Sequence, residues 1–168
     1  GTEMVMHKVH VCTRYESPLG TMLVAASDEG LAGIWFEGQR HGPDSRGWRE
    51  DPAHPVLREA VAQLRAWSAG ERKAFHVPLD LRAGTPFQQS VWSALLAIPR
   101  GGTTSYAQLA RTLGRPQAAR AVGAAVGRNP LSVVVPCHRV LGSGGALTGY
   151  AAGLERKTAL LKLEGALM

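Results

Sequence analysis

The apolar residues of this chain change their spacing once, near Arg82-Ala83-Gly84, and that change constrains the fold more than any other feature. Before it they alternate. Val9, Val11, Thr13 and Tyr15 interleave with His10, Cys12 and Arg14 at the period of a half-buried strand. Thr21–Ala26 and Leu31–Phe36 are two more candidate strands, joined through Ser17-Pro18-Leu19-Gly20 and Ser27-Asp28-Glu29-Gly30 turns. Gly38–Pro55 is polar and reads as a surface loop; Leu57, Val61 and Leu64 then form one helical stripe that Gly70 closes. Phe75, Val77, Leu79 and Leu81 alternate again as an extended connector. After the boundary the signals are helical. Thr85-Pro86-Phe87-Gln88 is a capping box with proline at the first helical position, and Phe87, Val91, Leu95 and Ile98 mark the buried face. Strands first and helices afterwards predict an α/β chain of the α+β kind. Residues 1–82 form an antiparallel sheet with a helix, and residues 83–168 a mainly helical domain.

Within that second domain, Ser105-Tyr106-Ala107-Gln108 opens a short helix that Gly114 should end, and Pro116 starts a third over Gln117–Val126. Two short helices around a glycine turn have the shape of a helix-turn-helix, with the second presented to DNA; an ordinary helical hairpin is the other reading. Charge favours the first. The chain has a net charge of +6, and from Arg111 through Arg115, Arg120 and Arg128 to Arg139 no acidic residue intervenes, a pattern suited to a polyanion. Two cysteines are too few for a disulfide scaffold and suggest a reducing compartment. With no long apolar run and no leader pattern, the expected location is the cytoplasm, away from any membrane.

The chemistry concentrates in Val133-Val134-Val135-Pro136-Cys137-His138-Arg139-Val140. The β-branched run predicts a buried strand that Pro136 ends, delivering the Cys137 thiol to the mouth of the core beside cationic neighbours that favour thiolate. The plainer alternative is that Cys137 is one more small buried hydrophobe. In a strand, Cys137 and His138 would point to opposite faces, so a water relay is easier than a direct couple. Glu164, near the end of a helix expected over Gly153–Glu164 with Leu154, Leu160 and Leu161 inward, is a candidate partner for the histidine. His7, His10 and Cys12 offer two metal ligands at best on one strand face, so no metal site is assigned. His41, His54 and His76 lack ligand spacing, and the four tryptophans read as core.

Pro136-Cys137-His138-Arg139-Val140 resembles the signature of the O6-alkylguanine-DNA alkyltransferases. The likeness continues through Phe87–Trp92, Ser105-Tyr106, Ala118–Gly123, Asn129-Pro130, Thr148-Gly149-Tyr150, Gly153-Leu154 and Leu160–Glu164. It implies a repair protein without cofactor that flips O6-alkylguanine, and by resemblance O4-alkylthymine, out of double-stranded DNA. The alkyl group would move irreversibly to its own Cys137 in a single turnover. His138 would activate Cys137 through water, Glu164 would orient His138, and Asn129 would hold the turn. Tyr106, Tyr150, Ala151 and the Val140 backbone would meet the base. Arg120 would fill the vacated stack, with Arg115, Ala107 and Ser143 on the DNA. A monomer is implied, with several copies side by side on DNA as the alternative. Arg115 stands where a capping asparagine is often found, Ala151 where some members have a serine, and the zinc ligands of some members have no match. A DNA-binding damage sensor and a cysteine hydrolase are the competing classes.

Overall fold

A computed structural model describes residues 10–168; Val9 and His7 lie outside them. The alternating segments become β1 (Val11–Ser17), β2 (Gly20–Ala26) and β3 (Leu31–Phe36), paired antiparallel with Ser17 opposite Gly20 across a two-residue turn. Gly20 takes φ 122, a conformation that a side chain would strain. The Gly38–Pro55 segment is mostly loop, but Arg49–Glu50 adds a short β4 parallel to β1. The sheet is therefore mixed rather than antiparallel throughout, in the order β3-β2-β1-β4.

Alternation sorts side chains by face. Tyr15, Met22, Val24, Ile34 and Phe36 enter the main core, while Cys12, Leu23, Ala25 and Trp35 form a small cluster with Trp48 on the other side. Helix α1 (Pro55–Ser68) buries Leu57, Ala60, Leu64 and Trp67 against the inner face. Its N-cap is His54, whose Nδ1 accepts from Val56 N at 3.2 Å. Phe75, Val77, Leu79 and Leu81 pack half-buried on the same core, with Leu79 bridging Leu31.

The second half opens with α2 (Pro86–Leu95), whose Thr85–Gln88 capping box is reciprocal, as expected from the sequence. A two-residue β5 (Thr104–Ser105) precedes α3 (Tyr106–Thr112). Here the box is half-made: Ser105 caps Gln108 N, but the Gln108 carboxamide turns to Arg111. The third helix, α4, runs Ala119–Gly127, two residues later than predicted, because Pro116 and Gln117 are spent in a turn. A short β6 (Val140–Leu141) pairs with β5, and α5 (Leu154–Leu163) closes the chain's described part with Glu164 as its C-cap. Leu154 is exposed, contrary to expectation, since it is the first residue of α5 and precedes the buried stripe of Lys157, Leu160 and Leu161. One continuous core joins both halves, from Tyr15 to Leu160. Three tryptophans lie in it or in the smaller cluster and the fourth, Trp48, is half-buried. No helix among the described residues is long and apolar enough to cross a membrane.

Candidate active site

The predicted Val133–Val135 strand does not form. Leu131 bridges Ile34 of β3, and the chain then folds on itself twice. Val134 N donates to Ser132 O at 2.9 Å around Val133, whose φ is 74. A β-branched residue in that region is strained. Cys137 N next donates to Val135 O at 2.8 Å around Pro136, at φ −81 and ψ 64, an inverse γ-turn. Every residue from Leu131 to Val140 is buried, so the run had no exposed face to betray that it was not a strand. Asn129 braces both turns. Its Nδ2 donates to Val135 O at 2.8 Å and Leu131 O at 3.4 Å, while Oδ1 accepts from Leu131 N at 2.9 Å.

Cys137–Arg139 is a single 3₁₀ turn, in which neighbouring side chains diverge by about 120°. Cys137 faces a cavity of about 340 Å³ walled by Tyr106, Asn129, Ser132, Tyr150 and Ala151. His138 points the other way, fully buried, with Nε2 2.7 Å from Glu164 Oε1. A carboxylate only accepts, so Nε2 carries the proton and Nδ1 keeps its lone pair. That Nδ1 is buried and has no hydrogen-bond partner among the described residues. Burial holds the imidazole below its ordinary pKa against the pull of Glu164, which favours a neutral ring.

Glu164 has its acceptor capacity filled. Oε1 takes His138 Nε2 and Arg139 Nε (2.9 Å); Oε2 takes Arg139 Nη2 (2.6 Å) and the Trp67 indole N–H (3.1 Å). Burial alone would raise this carboxyl, but the Arg139 and His138 hydrogen bonds outweigh it and hold it at about 2. The expected benefit of Arg139 to the thiol is therefore not direct: its guanidinium is committed to Glu164 and to Ile98 O. Burial raises the Cys137 pKa, contrary to the sequence expectation, with Asn129 and Lys157 acting in the opposite sense.

Lys157 supplies the nearby cation and was not found in the sequence. Its side chain is wholly buried, and Nζ donates to Val140 O (2.6 Å), Thr148 O (2.7 Å) and Gly149 O (3.1 Å), tying β6 to the Thr148–Tyr150 segment. Burial lowers it to about 8. The Tyr106 hydroxyl reaches Thr148 O at 3.4 Å, and the buried Tyr150 hydroxyl has no partner among the described residues.

The remaining sequence candidates lie outside the cavity. Arg120 and Ala107 are exposed on α4 and α3, and Ser143 is exposed on a 3₁₀ turn. Arg115 is not the cap of α4. That position is Ala118, without a side-chain cap, and the Arg115 guanidinium lies 5.6 Å from the Phe87 ring centroid. Among the described residues no group of three or more histidine, cysteine or acidic side chains is arranged to hold a metal; His10 packs instead on Trp48, ring centroids 4.9 Å apart.

Two family models match the chain: the ribonuclease-like domain of 6-O-methylguanine DNA methyltransferase over residues 10–81, and its DNA binding domain over residues 86–166. The chain belongs to the 6-O-methylguanine DNA methyltransferase family. Among curated relatives, a methylated-DNA–protein-cysteine methyltransferase of Methanosarcina acetivorans is 50% identical over 90% of this chain and 96% of its own. One from Mycobacterium leprae is 47% identical over 91% of each. The solved structure of Mycobacterium tuberculosis OGT in complex with DNA superposes with a TM-score of 0.85 at 46% identity, covering 93% of both chains.

In this family member, two further residues escaped sequence reading. Trp67 reaches Glu164 from the first half of the chain, and Arg100 fastens Trp67 O and Leu163 O. Nothing local in the sequence marks either. Lys157 did leave a signal: it stands three and seven residues from Leu160 and Glu164, on one helical face.

Proposed function

We propose that this protein repairs alkylated DNA by moving the alkyl group from O6 of guanine to its own Cys137, once per molecule. The observation that carries the reading is the thiol facing a base-sized cavity while His138, fixed by Glu164, keeps an unprotonated Nδ1 buried behind the same turn. Burial opposes thiolate formation, so the reaction needs a base for the Cys137 proton. His138 Nδ1 is the base for it, acting through a water, and Glu164 stabilises the imidazolium that forms. The thiolate then displaces guanine from the alkyl carbon: the S–C bond forms, the C–O6 bond breaks, and the departing base takes a proton. Tyr106, which lines the cavity, is the proposed donor and helps to rotate the nucleotide. The unpartnered Tyr150 hydroxyl and Ala151 are groups for the flipped base to meet, whereas Val140, expected to offer its backbone, is fully buried with its carbonyl taken by Lys157.

A base inside a duplex cannot reach this cavity, so it is extruded at a cost of a few kcal/mol. Exposed Arg120 fills the gap. The uncapped N-terminus of α4 leaves backbone N–H groups for a phosphate, and the exposed Arg115, Ala107 and Ser143 are the further DNA contacts of this proposal. The thioether product is stable and no group in the cavity cleaves it, hence one lesion per protein. O4-alkylthymine fits the same chemistry, and a monomer suffices for it.

Mass spectrometry after mixing with a duplex containing O6-methylguanine tests this. One methyl group on Cys137 with no turnover is expected; Cys137→Ser loses transfer and still binds DNA, while Cys12→Ser reacts normally. A methyl group found on Cys12, or repeated turnover, sinks the proposal.

A further inference from the structure

The cavity around Cys137 has three basic side chains in its wall and no acidic one. Arg40 and His41 come from the loop after β3, and Arg128 from the C-terminal end of α4. The loop is fixed at the rim. Arg40 N donates to Ala151 O at 2.9 Å, and Gln39 Oε1 accepts from Phe36 N at 2.9 Å and from Ser132 Oγ at 3.4 Å. His41 adopts φ 58, a left-handed conformation that non-glycine residues hold mostly where the surroundings impose it. Arg14, Arg46, Arg49, Arg82 and Arg139 each meet a carboxylate. Arg40 and Arg128 are exposed, and neither forms a salt bridge among the described residues. Burial, then the charges of Arg128 and Arg40, lower the His41 pKa, which is how a positive local field acts on an imidazole.

We propose that this wall selects O6 substituents bearing a carboxylate, such as a carboxymethyl group, with Arg40 and Arg128 as the residues that recognise the anion. The inference rests on the alkyl transfer proposed above. The chemical step is unchanged and involves no oxidant. Cys137 Sγ attacks the methylene carbon, the S–C bond forms, the C–O6 bond breaks, and the electron pair leaves on guanine oxygen, which is protonated. The carboxylate is retained on the cysteine as S-carboxymethylcysteine. Clefts lined by one sign of charge concentrate the opposite sign, and two unpaired guanidiniums supply about five- to tenfold in rate for such a substituent at low salt. A DNA phosphate is the other anion these cations suit, so the test begins with free bases, which have none.

Rates of Cys137 alkylation by O6-carboxymethylguanine and by its neutral isostere O6-carbamoylmethylguanine give a ratio, measured for the full chain and its variants. Intrinsic reactivity cancels when ratios are compared between variants. Arg40→Gln and Arg128→Gln should each lower the ratio by about threefold or more, Arg40→Lys should restore most of it, and added salt should lower it more in the parent chain than in either Gln variant. Ratios unchanged within about twofold in both Gln variants overturn the proposal. So does a charge effect seen with free bases that vanishes when the same lesions sit in a duplex, for then the cations serve the phosphates. Absence of transfer from O6-methylguanine would instead strike at the alkyl-transfer reading itself.

Discussion

At the scale of single residues, the site is governed by which buried charges are satisfied. Lys157 is the clearest case, a wholly buried ammonium whose three hydrogens go to three carbonyls. Lys157→Met keeps the stem and strands those acceptors, and is expected to cost about 2–4 kcal/mol in urea unfolding. It should also slow alkylation by free O6-benzylguanine, because the Thr148–Tyr150 wall loses its tie to β6. An unchanged unfolding midpoint would show that the carbonyls find other donors. Acid acts through two neighbours in the same direction. His138 is held neutral below its ordinary 6.5, so the unfolded chain takes up the proton first and stability falls as pH drops below about 6.5. Glu164 sits at about 2 against an ordinary 4.5, so its contribution is complete above about 4.5 and is lost as pH falls toward 2. Unfolding midpoints at pH 7 and 5 should differ for the parent chain, and differ less in His138→Asn. A midpoint difference that His138→Asn leaves intact assigns the acid sensitivity elsewhere.

Individual elements were legible where a backbone rule and a side-chain pattern agreed. The Thr85–Gln88 box starts α2 because proline, cap and apolar stripe all point to one residue. Thr85→Ala should therefore cost about 1 kcal/mol, read from the thermal midpoint. The start of α4 was misread because Pro116 suits a first helical position and a turn equally well. Val133–Val135 looked like a strand because a fully buried run has no period, and no pattern of residue types announces a valine at φ 74. Cys137 and His138 are marked by their adjacency after Pro136, and Glu164 by its place near the end of the helix expected over Gly153–Glu164. Lys157 goes unassigned, since a lysine wholly buried inside an apolar stripe is rare. The function of α4 is open to test at its exposed arginine. Arg120→Ala should slow repair within a duplex several-fold or more and leave transfer from a free base nearly unchanged. Arg120→Lys retains charge without a planar head. Full duplex repair by that variant would reduce Arg120 to a phosphate contact.

Across the whole molecule, the two halves meet at a hydrogen bond as well as through a shared core. Trp67 on α1 donates to the same carboxylate that orients His138, while Arg100 clasps the carbonyls of Trp67 and Leu163. The sheet half thereby helps to hold the His138–Glu164 pair in place. Trp67→Phe keeps the ring in the core and removes only the N–H. A hydrogen bond to a buried charge is worth about 1.5–3 kcal/mol, and the variant should unfold at correspondingly lower urea. Its alkylation by a free base should slow and its pH–rate profile should shift, which a simple packing defect would not cause. A slower reaction with an unmoved profile would confine Trp67 to structure.

Glu164 lies 97 residues after Trp67 and 26 after His138. Ribosomes add about 5–20 residues per second, and chains fold as they emerge. Throughout that time the growing polypeptide carries Cys137 beside an imidazole whose tautomer nothing has yet chosen. Only when α5 docks does one carboxylate settle the proton on Nε2, neutralise Arg139 and engage Trp67. The geometry around His138 is therefore complete only once α5 has docked.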